Sequence, residues 1–175
     1  ELPHTIVNTM MRVDLPKPLK AGAKTIIKLK WWYNINDRME IGGRSGYEYF
    51  EEDDNYLYTI AQFFPRLCVY NEVEGWQHKQ FLGRGEFALP FGDYKVDITV
   101  PADHIVGATG FCQNYSSVLT AGQKAKFDEA KNADEPVIIV TQDEAVENEK
   151  EATKDKKTWT FKATNVRDFA FASSR

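Results

Sequence analysis

Three histidines and two cysteines are the side chains best suited to bind a transition metal, and their spacing matches no metal motif. His4, His78 and His104 stand far apart, and none belongs to a His-Glu-x-x-His motif. Zinc sites are built from clustered histidine, cysteine or carboxylate ligands. We therefore expect the three histidines to be polar residues of loops and turns, and we expect no metal site.

The cysteines, Cys68 and Cys112, lack a Cys-x-x-Cys partner. A free buried thiol is the common state of such a residue. One disulfide between them is the alternative, so cysteine usage leaves the cellular compartment open.

Loops that could bind phosphate or calcium do not match the known motifs. Gly42-Gly43-Arg44-Ser45-Gly46 lacks the Lys-Ser/Thr of a P-loop and precedes aromatic and acidic residues rather than a helix. The acidic run 51–54 lacks the ligand spacing of an EF-hand. There is no Gly-x-Ser-x-Gly for a serine nucleophile. The abundant carboxylates leave a glycosidase pair open without indicating one.

Composition predicts a folded domain. The chain has 175 residues, of which 42% are apolar and 27% charged, and its net charge is -4. This charge favours no nucleic-acid partner, and no apolar run reaches the length of a membrane span. Residues 1–4 show no pattern that we expect of a targeting signal, and residues 166–175 have a strand-like pattern. We expect residues 1–175 to be a single domain taken from a longer protein.

The elements that must position any site are mostly strands. We expect a mainly β fold, a two-sheet, saddle-like β-sandwich with one or two helices inserted at about residues 117–156. The helices are predicted at 117–134, with Thr120 as the N-cap, and at 143–156, while residues 34–55 resemble a loop. Strands are predicted at 5–14, 24–33, 105–110, 136–141, 157–164 and 169–172, and a hairpin joins 86–89 to 93–100.

Four tryptophans, Trp31, Trp32, Trp76 and Trp159, raise the possibility of a carbohydrate-binding module. Flat aromatic side chains on a β-sandwich can stack on sugar rings. The alternation of residues 24–33 and 157–164 instead favours Trp31 and Trp159 as core residues. We keep carbohydrate binding as the alternative function.

Several segments together resemble the N-terminal β domain of zinc metallopeptidases of the aminopeptidase N (gluzincin) family. In that family a Phe-Pro segment leads to a strand, then to Tyr-x-Val-x-Ile-x-Val-Pro, then to an Ala-x-Gly strand. Here Phe64-Pro65 is followed by Tyr94-Lys-Val-Asp-Ile-Thr-Val-Pro101 and Ala108-Thr-Gly110. The further matching segments are residues 8–16, 81–87, 118–123, 158–163 and 165–173, so the resemblance covers most of the chain.

The resemblance implies a parent enzyme that removes N-terminal residues from peptides. In the family, His-Glu-x-x-His and a downstream glutamate bind the zinc, and a Gly-x-Met-Glu-Asn segment binds the substrate amine. None of these motifs occurs here. We therefore expect a non-catalytic domain whose partners are the peptide substrate and a zinc-binding catalytic domain of the same polypeptide. By analogy, the parent is secreted or periplasmic.

The family's N-terminal domain also contributes a glutamine or glutamate that helps to hold the substrate's free amine. Gln62 is the residue of that type nearest the Phe-Pro segment, which marks it as a substrate-binding residue. A buried polar residue beside an aromatic cluster is the alternative for Gln62. The chain reads Phe-Pro-Arg-Leu-Cys-Val-Tyr where the family has Phe-Pro-Cys-x-Asp-Glu-Pro, so the resemblance leaves the parent's substrate and activity open.

Overall fold

The computed structural model describes residues 1–81 and 88–175, and the chain divides into two compact units. The first unit consists of Glu1–Tyr33 and Phe64–Pro90, and the second of Asn34–Phe63 and Phe91–Arg175. Antiparallel strands dominate, and most helical residues lie in the second half of the chain. The predicted mainly β fold with inserted helices is therefore confirmed.

The described strands and helices run in the following order along the chain. The strands are β1 His4–Val7, β2 Met10–Val13, β3 Gly46–Phe50, β4 Asn55–Ile60, β5 Tyr70–Asn71, β6 Gly75–Trp76, β7 Gly92–Pro101, β8 Ile105–Ala108, β9 Phe111–Cys112, β10 Lys156–Val166 and β11 Phe171–Ser174. The helices are α1 Arg38–Ile41, α2 Tyr115–Val118, α3 Ala121–Ala130 and α4 Gln142–Glu149.

The first unit contains two short hairpins. Strands β1 and β2 pair antiparallel, with His4 opposite Val13. Asn8 turns the chain between them with a φ of 51°, a left-handed conformation that asparagine tolerates. Strands β5 and β6 form the second hairpin, with Tyr70 opposite Trp76. The strand predicted at residues 5–14 is thus two short strands.

The strand predicted at residues 24–33 is wrong. No strand forms there in the described part of the chain, and every residue of the segment is exposed. Ile26 and Trp32 are each 85% exposed. Alternation makes a strand only where a neighbouring strand and an apolar surface are available to pair with it. No described strand pairs with this segment.

The second unit contains a four-stranded antiparallel sheet in the order β3-β4-β11-β8. Strands β3 and β4 form a hairpin, and β11 pairs with both β4 and β8. Phe171 of β11 lies opposite Ile60 on one side and Ala108 on the other. The strands predicted at 105–110 and 169–172 are therefore found, whereas residues 34–55, predicted as a loop, contain β3 and α1.

A three-stranded sheet in the order β7-β10-β9 completes the second unit's described sheets. Trp159 of β10 lies opposite Ile98 of β7. Strand β7 pairs with β10 along most of its length. The predicted hairpin would pair it with residues 86–89, of which 86 and 87 lie outside the described residues and 88 and 89 form no strand. The long alternating patterns of β7 and β10 provide a large paired surface.

Aromatic residues form the core of the second unit. Trp159 is 1% exposed and Phe169 is 0% exposed. The ring of Phe169 lies 6.5 Å from that of Phe161 and 6.1 Å from that of Tyr94. The core position predicted for Trp159 is confirmed, while Trp31 is 47% exposed and its predicted core position is wrong.

Capping residues fix where the helices of the second half begin. Thr120 caps α3 as predicted, since its Oγ1 accepts from the Gln123 backbone N–H at 3.2 Å and its own N–H donates to Gln123 Oε1 at 3.1 Å. Thr141 caps α4 in the same way. The strand predicted at 136–141 is wrong, because Thr141 serves as this cap and Ile138 is 69% exposed.

Candidate functional site

Gln62, marked by the family resemblance for the substrate amine, lies on the surface of the second unit. Its backbone has a φ of 53°. The other described non-glycine residues with positive φ are Asn8, Asp54 and Asn165, and these residue types adopt the left-handed conformation more readily than glutamine. The alternative of a buried polar residue is wrong, since the side chain is exposed and accessible to a ligand.

The three histidines differ in their surroundings. Among the described residues, no group of three or more His, Cys, Asp or Glu could hold a metal ion. His4 and His78 are exposed, and His104 is buried. His4 lies in a strand and not in the predicted loop, whereas His104 lies in the turn between β7 and β8.

Both cysteines are free thiols in the structure. Cys112 is buried in β9, and this burial raises the pKa of its thiol. A raised pKa keeps the thiol protonated and unreactive at neutral pH.

The glycine-rich and acidic segments have structural roles. Gly42 ends α1 with a φ of 73°, and its N–H donates to the Arg38 carbonyl. The acidic run 51–54 forms the turn between β3 and β4. Asp54 accepts a hydrogen bond from the Tyr49 hydroxyl at 3.0 Å. These contacts give both segments a structural role.

The exposed tryptophans lie in the first unit. Trp76 is 53% exposed, and its ring meets that of Tyr70 at 5.2 Å with an interplanar angle of 70°. Two rings in this edge-to-face arrangement do not form one flat surface for a sugar. Trp32 is 85% exposed. The carbohydrate-binding alternative therefore stays a prediction.

A cluster of four tyrosines, here called the tyrosine face, covers one side of the β3–β4 hairpin. Cross-strand pairing places Tyr47 opposite Tyr58 and Tyr49 opposite Tyr56. The rings of Tyr49 and Tyr56 lie 4.7 Å apart, and those of Tyr56 and Tyr58 lie 6.0 Å apart at an angle of 19°. Ile60, two residues after Tyr58, continues this side of β4 into the core.

A groove of about 520 Å³, here called the tyrosine groove, opens beside Tyr56 and Tyr58. It lies within the second unit, between strands β4 and β11 and the end of β7. Buried Ile60 and Ile98 supply part of its apolar wall. Its polar walls include Tyr56, Tyr58, Asp103, His104, Thr153 and Ser173.

His104 and Ser173 form a buried pair in this groove. The ring nitrogen Nδ1 of His104 lies 2.9 Å from Ser173 Oγ. Burial lowers the pKa of His104, a shift that the Asp103 charge opposes and the Arg175 and Lys157 charges reinforce. The imidazole is therefore neutral at pH 7. Because no described carboxylate hydrogen-bonds to the ring, the pair lacks the third member of a catalytic triad.

Asp103 is the unusual acceptor of the groove. Its Oδ2 accepts from the Thr153 backbone N–H at 3.1 Å. Its Oδ1 is buried and has no hydrogen-bond partner among the described residues. Burial also raises the pKa of the Tyr58 phenol, which stays a protonated donor. The groove thus combines the charged side chains of Asp54, Asp103 and Arg175 with the neutral donors and acceptors described above.

The sequence contains a pattern that indicates the tyrosine face, although residues 34–55 were predicted as a loop. Tyr47 and Tyr49 alternate with Glu48, and Tyr56 and Tyr58 alternate with Leu57, on either side of an acidic turn. This is the pattern of a hairpin with one aromatic side. The contact of His104 with Ser173, 69 residues away, has no such signal.

No described helix has the length and apolar character that crossing a membrane requires. Comparison with protein-family models, curated proteins and solved structures finds no match for the chain. The resemblance to aminopeptidase N-like enzymes therefore stays a prediction.

Proposed function

We propose that this chain is a non-catalytic β domain of an aminopeptidase-like zinc metallopeptidase. It shapes the substrate cleft and helps to hold the ammonium group at the peptide's N-terminus. The zinc and the groups that cleave the peptide belong to a catalytic domain of the same polypeptide. The contribution of this chain is orientation, since a fixed acceptor and a rigid wall restrict how and which substrates bind.

The placement of the matching segments supports the proposal. Residues 94–101, which carry the Tyr-x-Val-x-Ile-x-Val-Pro pattern, lie entirely in β7. Residues 158–163 lie in its partner β10, and residues 171–173 lie in β11, between two other strands. The segments that resemble the family therefore form much of the sheet framework of the second unit.

The observation that carries the proposal is the conformation of Gln62. An exposed glutamine with a φ of 53° costs roughly 1–3 kcal/mol in backbone strain. Strain of this kind concentrates at ligand-binding positions. The amide oxygen of Gln62 can accept a hydrogen bond from an ammonium group. These properties suit the role that the family assigns to a glutamine near the Phe-Pro segment.

The test is steady-state kinetics of the zinc peptidase polypeptide that contains this chain, with amino-acid p-nitroanilides as substrates. Loss of one hydrogen bond to a charged group should lower kcat/KM of Gln62→Ala by about tenfold or more. Gln62→Glu should keep or improve it, because a carboxylate pairs with the ammonium group. The control is Gln113→Ala, at an exposed glutamine whose side chain donates to the Phe111 carbonyl. Equal kinetics for Gln62→Ala and Gln113→Ala contradict the proposal.

A further inference from the structure

We propose that the tyrosine groove binds a neutral saccharide, one or two pyranose rings in size. This site is independent of Gln62 and of peptide binding. It is also distinct from the exposed tryptophans of the first unit, because its aromatic surface consists of Tyr56 and Tyr58.

The aromatic wall offers apolar surface on which a sugar ring can pack. The rings of Tyr56 and Tyr58 are stacked along one strand, with an angle of 19° between them and centroids 6.0 Å apart. Tyr49 supports Tyr56 from the neighbouring strand at 4.7 Å. Tyr56 is 37% exposed, which leaves its ring accessible. The C–H face of a pyranose packs on such surfaces through apolar contact.

The polar groups of the groove suit hydroxyl groups better than an ion. Tyr58 provides a protonated phenol, and His104 and Ser173 provide a neutral imidazole and a hydroxyl. A sugar hydroxyl both donates and accepts, so it can bond to each of these groups in either direction. The guanidinium of Arg175 is already bonded to Asn55 Oδ1 at 3.3 Å and to the Asp54 carbonyl.

The unpaired oxygen of Asp103 supplies the second, independent observation. Asp103 lines the groove, and its Oδ1 is buried with no hydrogen-bond partner in the described part of the chain. A buried acceptor without a donor is costly, and rotation of the Asp103 carboxylate toward the groove would let a ligand hydroxyl remove that cost. Lys157 is a cation close enough for the Asp103 charge to oppose the lowering of its pKa by burial, so the ligand need not supply a cation. A neutral donor completes the site.

The size of the groove limits the ligand. Its volume of about 520 Å³ falls within the range of small-molecule sites. It is open along one side and lies within one compact unit, so entry requires no rearrangement of the strands.

The experiment is isothermal titration calorimetry of the chain with methyl β-D-glucopyranoside, methyl β-D-galactopyranoside, maltose and cellobiose. We expect saturable association with at least one of them. Tyr58→Ala should weaken it by about tenfold, and Asp103→Asn by about fivefold through loss of a charge-assisted hydrogen bond. Tyr58→Phe and Asp103→Asn preserve side-chain volume, so they keep the test informative if Tyr58→Ala fails to fold. Tyr58→Phe should keep the stacking and bind within about threefold of the unaltered chain.

Three results overturn the proposal. The first is no saturable association with any of the four sugars, and the second is methylammonium binding as tightly as the best sugar. The third is an association that is lost in Trp32→Ala or Trp76→Ala but kept in Tyr58→Ala and Asp103→Asn. Gln62→Ala serves as a matched control and should bind the sugar normally. A negative result in the sugar titrations therefore does not affect the proposed peptidase role. A negative result in the Gln62 kinetics likewise does not affect the proposal of saccharide binding in the tyrosine groove.

Discussion

Truncation of Phe169 to alanine tests the packing of the second unit. The side chain is 0% exposed and contacts the rings of Phe161 and Tyr94 from the segment that leads into β11. Phe169→Ala removes a buried phenyl group and leaves a cavity between these rings. A change of this kind costs about 3–5 kcal/mol of unfolding free energy. Since domains have only about 5–15 kcal/mol in total, the loss is a large fraction of the stability.

Urea denaturation followed by far-UV circular dichroism and by tryptophan fluorescence measures this loss. Phe111→Ala is the matched control, because it deletes the same group where the side chain is 80% exposed. We expect the control to change stability by less than about 0.5 kcal/mol. If Phe169→Ala is too unstable to purify, Phe169→Leu should still lose about 1–2 kcal/mol. Equal stabilities for the Phe169 and Phe111 variants would refute the assignment of Phe169 to the core.

Three further predictions concern local features of the second unit. Stability should decrease as the pH falls below about 6.5, because the lowered pKa of His104 means that the unfolded chain binds the proton first. Urea titrations at neutral and mildly acidic pH measure this dependence, and a His104→Gln variant with the same dependence would exclude His104 as its source. Thr120→Ala should cost about 0.5–2 kcal/mol in thermal or urea unfolding through loss of the α3 cap, and Thr120→Ser should restore most of it. Gly110→Ala should cost about 2 kcal/mol or more, because Gly110 has a φ of 87° and an added Cβ would clash with the Lys162 carbonyl. Gly107→Ala, where an added Cβ meets nothing within 4 Å, is its control, and equal melting temperatures for the two variants would contradict this account.

Local sequence patterns located the elements whose formation depends on nearby residues. The alternation around Trp159 predicted β10, because one side of that strand is buried in the core. Thr120 followed by Gln123 predicted the start of α3, because a capping box involves only residues within one helical turn. Such signals need no knowledge of distant partners.

Pairing between distant segments could not be predicted in the same way. Residues 24–33 have the same alternation as β10 but form no described strand, since alternation does not specify a partner. Strand β7 pairs with β10, whose residues lie about 60 positions further along the chain. Pairing over this distance depends on how the complete sheet packs.

The candidate sites also contain some features that the sequence indicates and others that only the folded chain shows. The exposure and strained backbone of Gln62 are properties of the folded chain and were not available from its spacing to Pro65. The tyrosines of β3 and β4 alternate visibly in the sequence, but His104 and Ser173 come together only because β8 and β11 are neighbours. Sequence patterns therefore indicated one side of the groove and not the other.

Zinc content and peptidase activity of the purified chain test the non-catalytic role most directly. With zinc supplied, we expect no stoichiometric bound metal and no hydrolysis of amino-acid p-nitroanilides above a buffer control. Hydrolysis that copurifies with the chain, disappears with a chelator and returns with zinc would contradict the account.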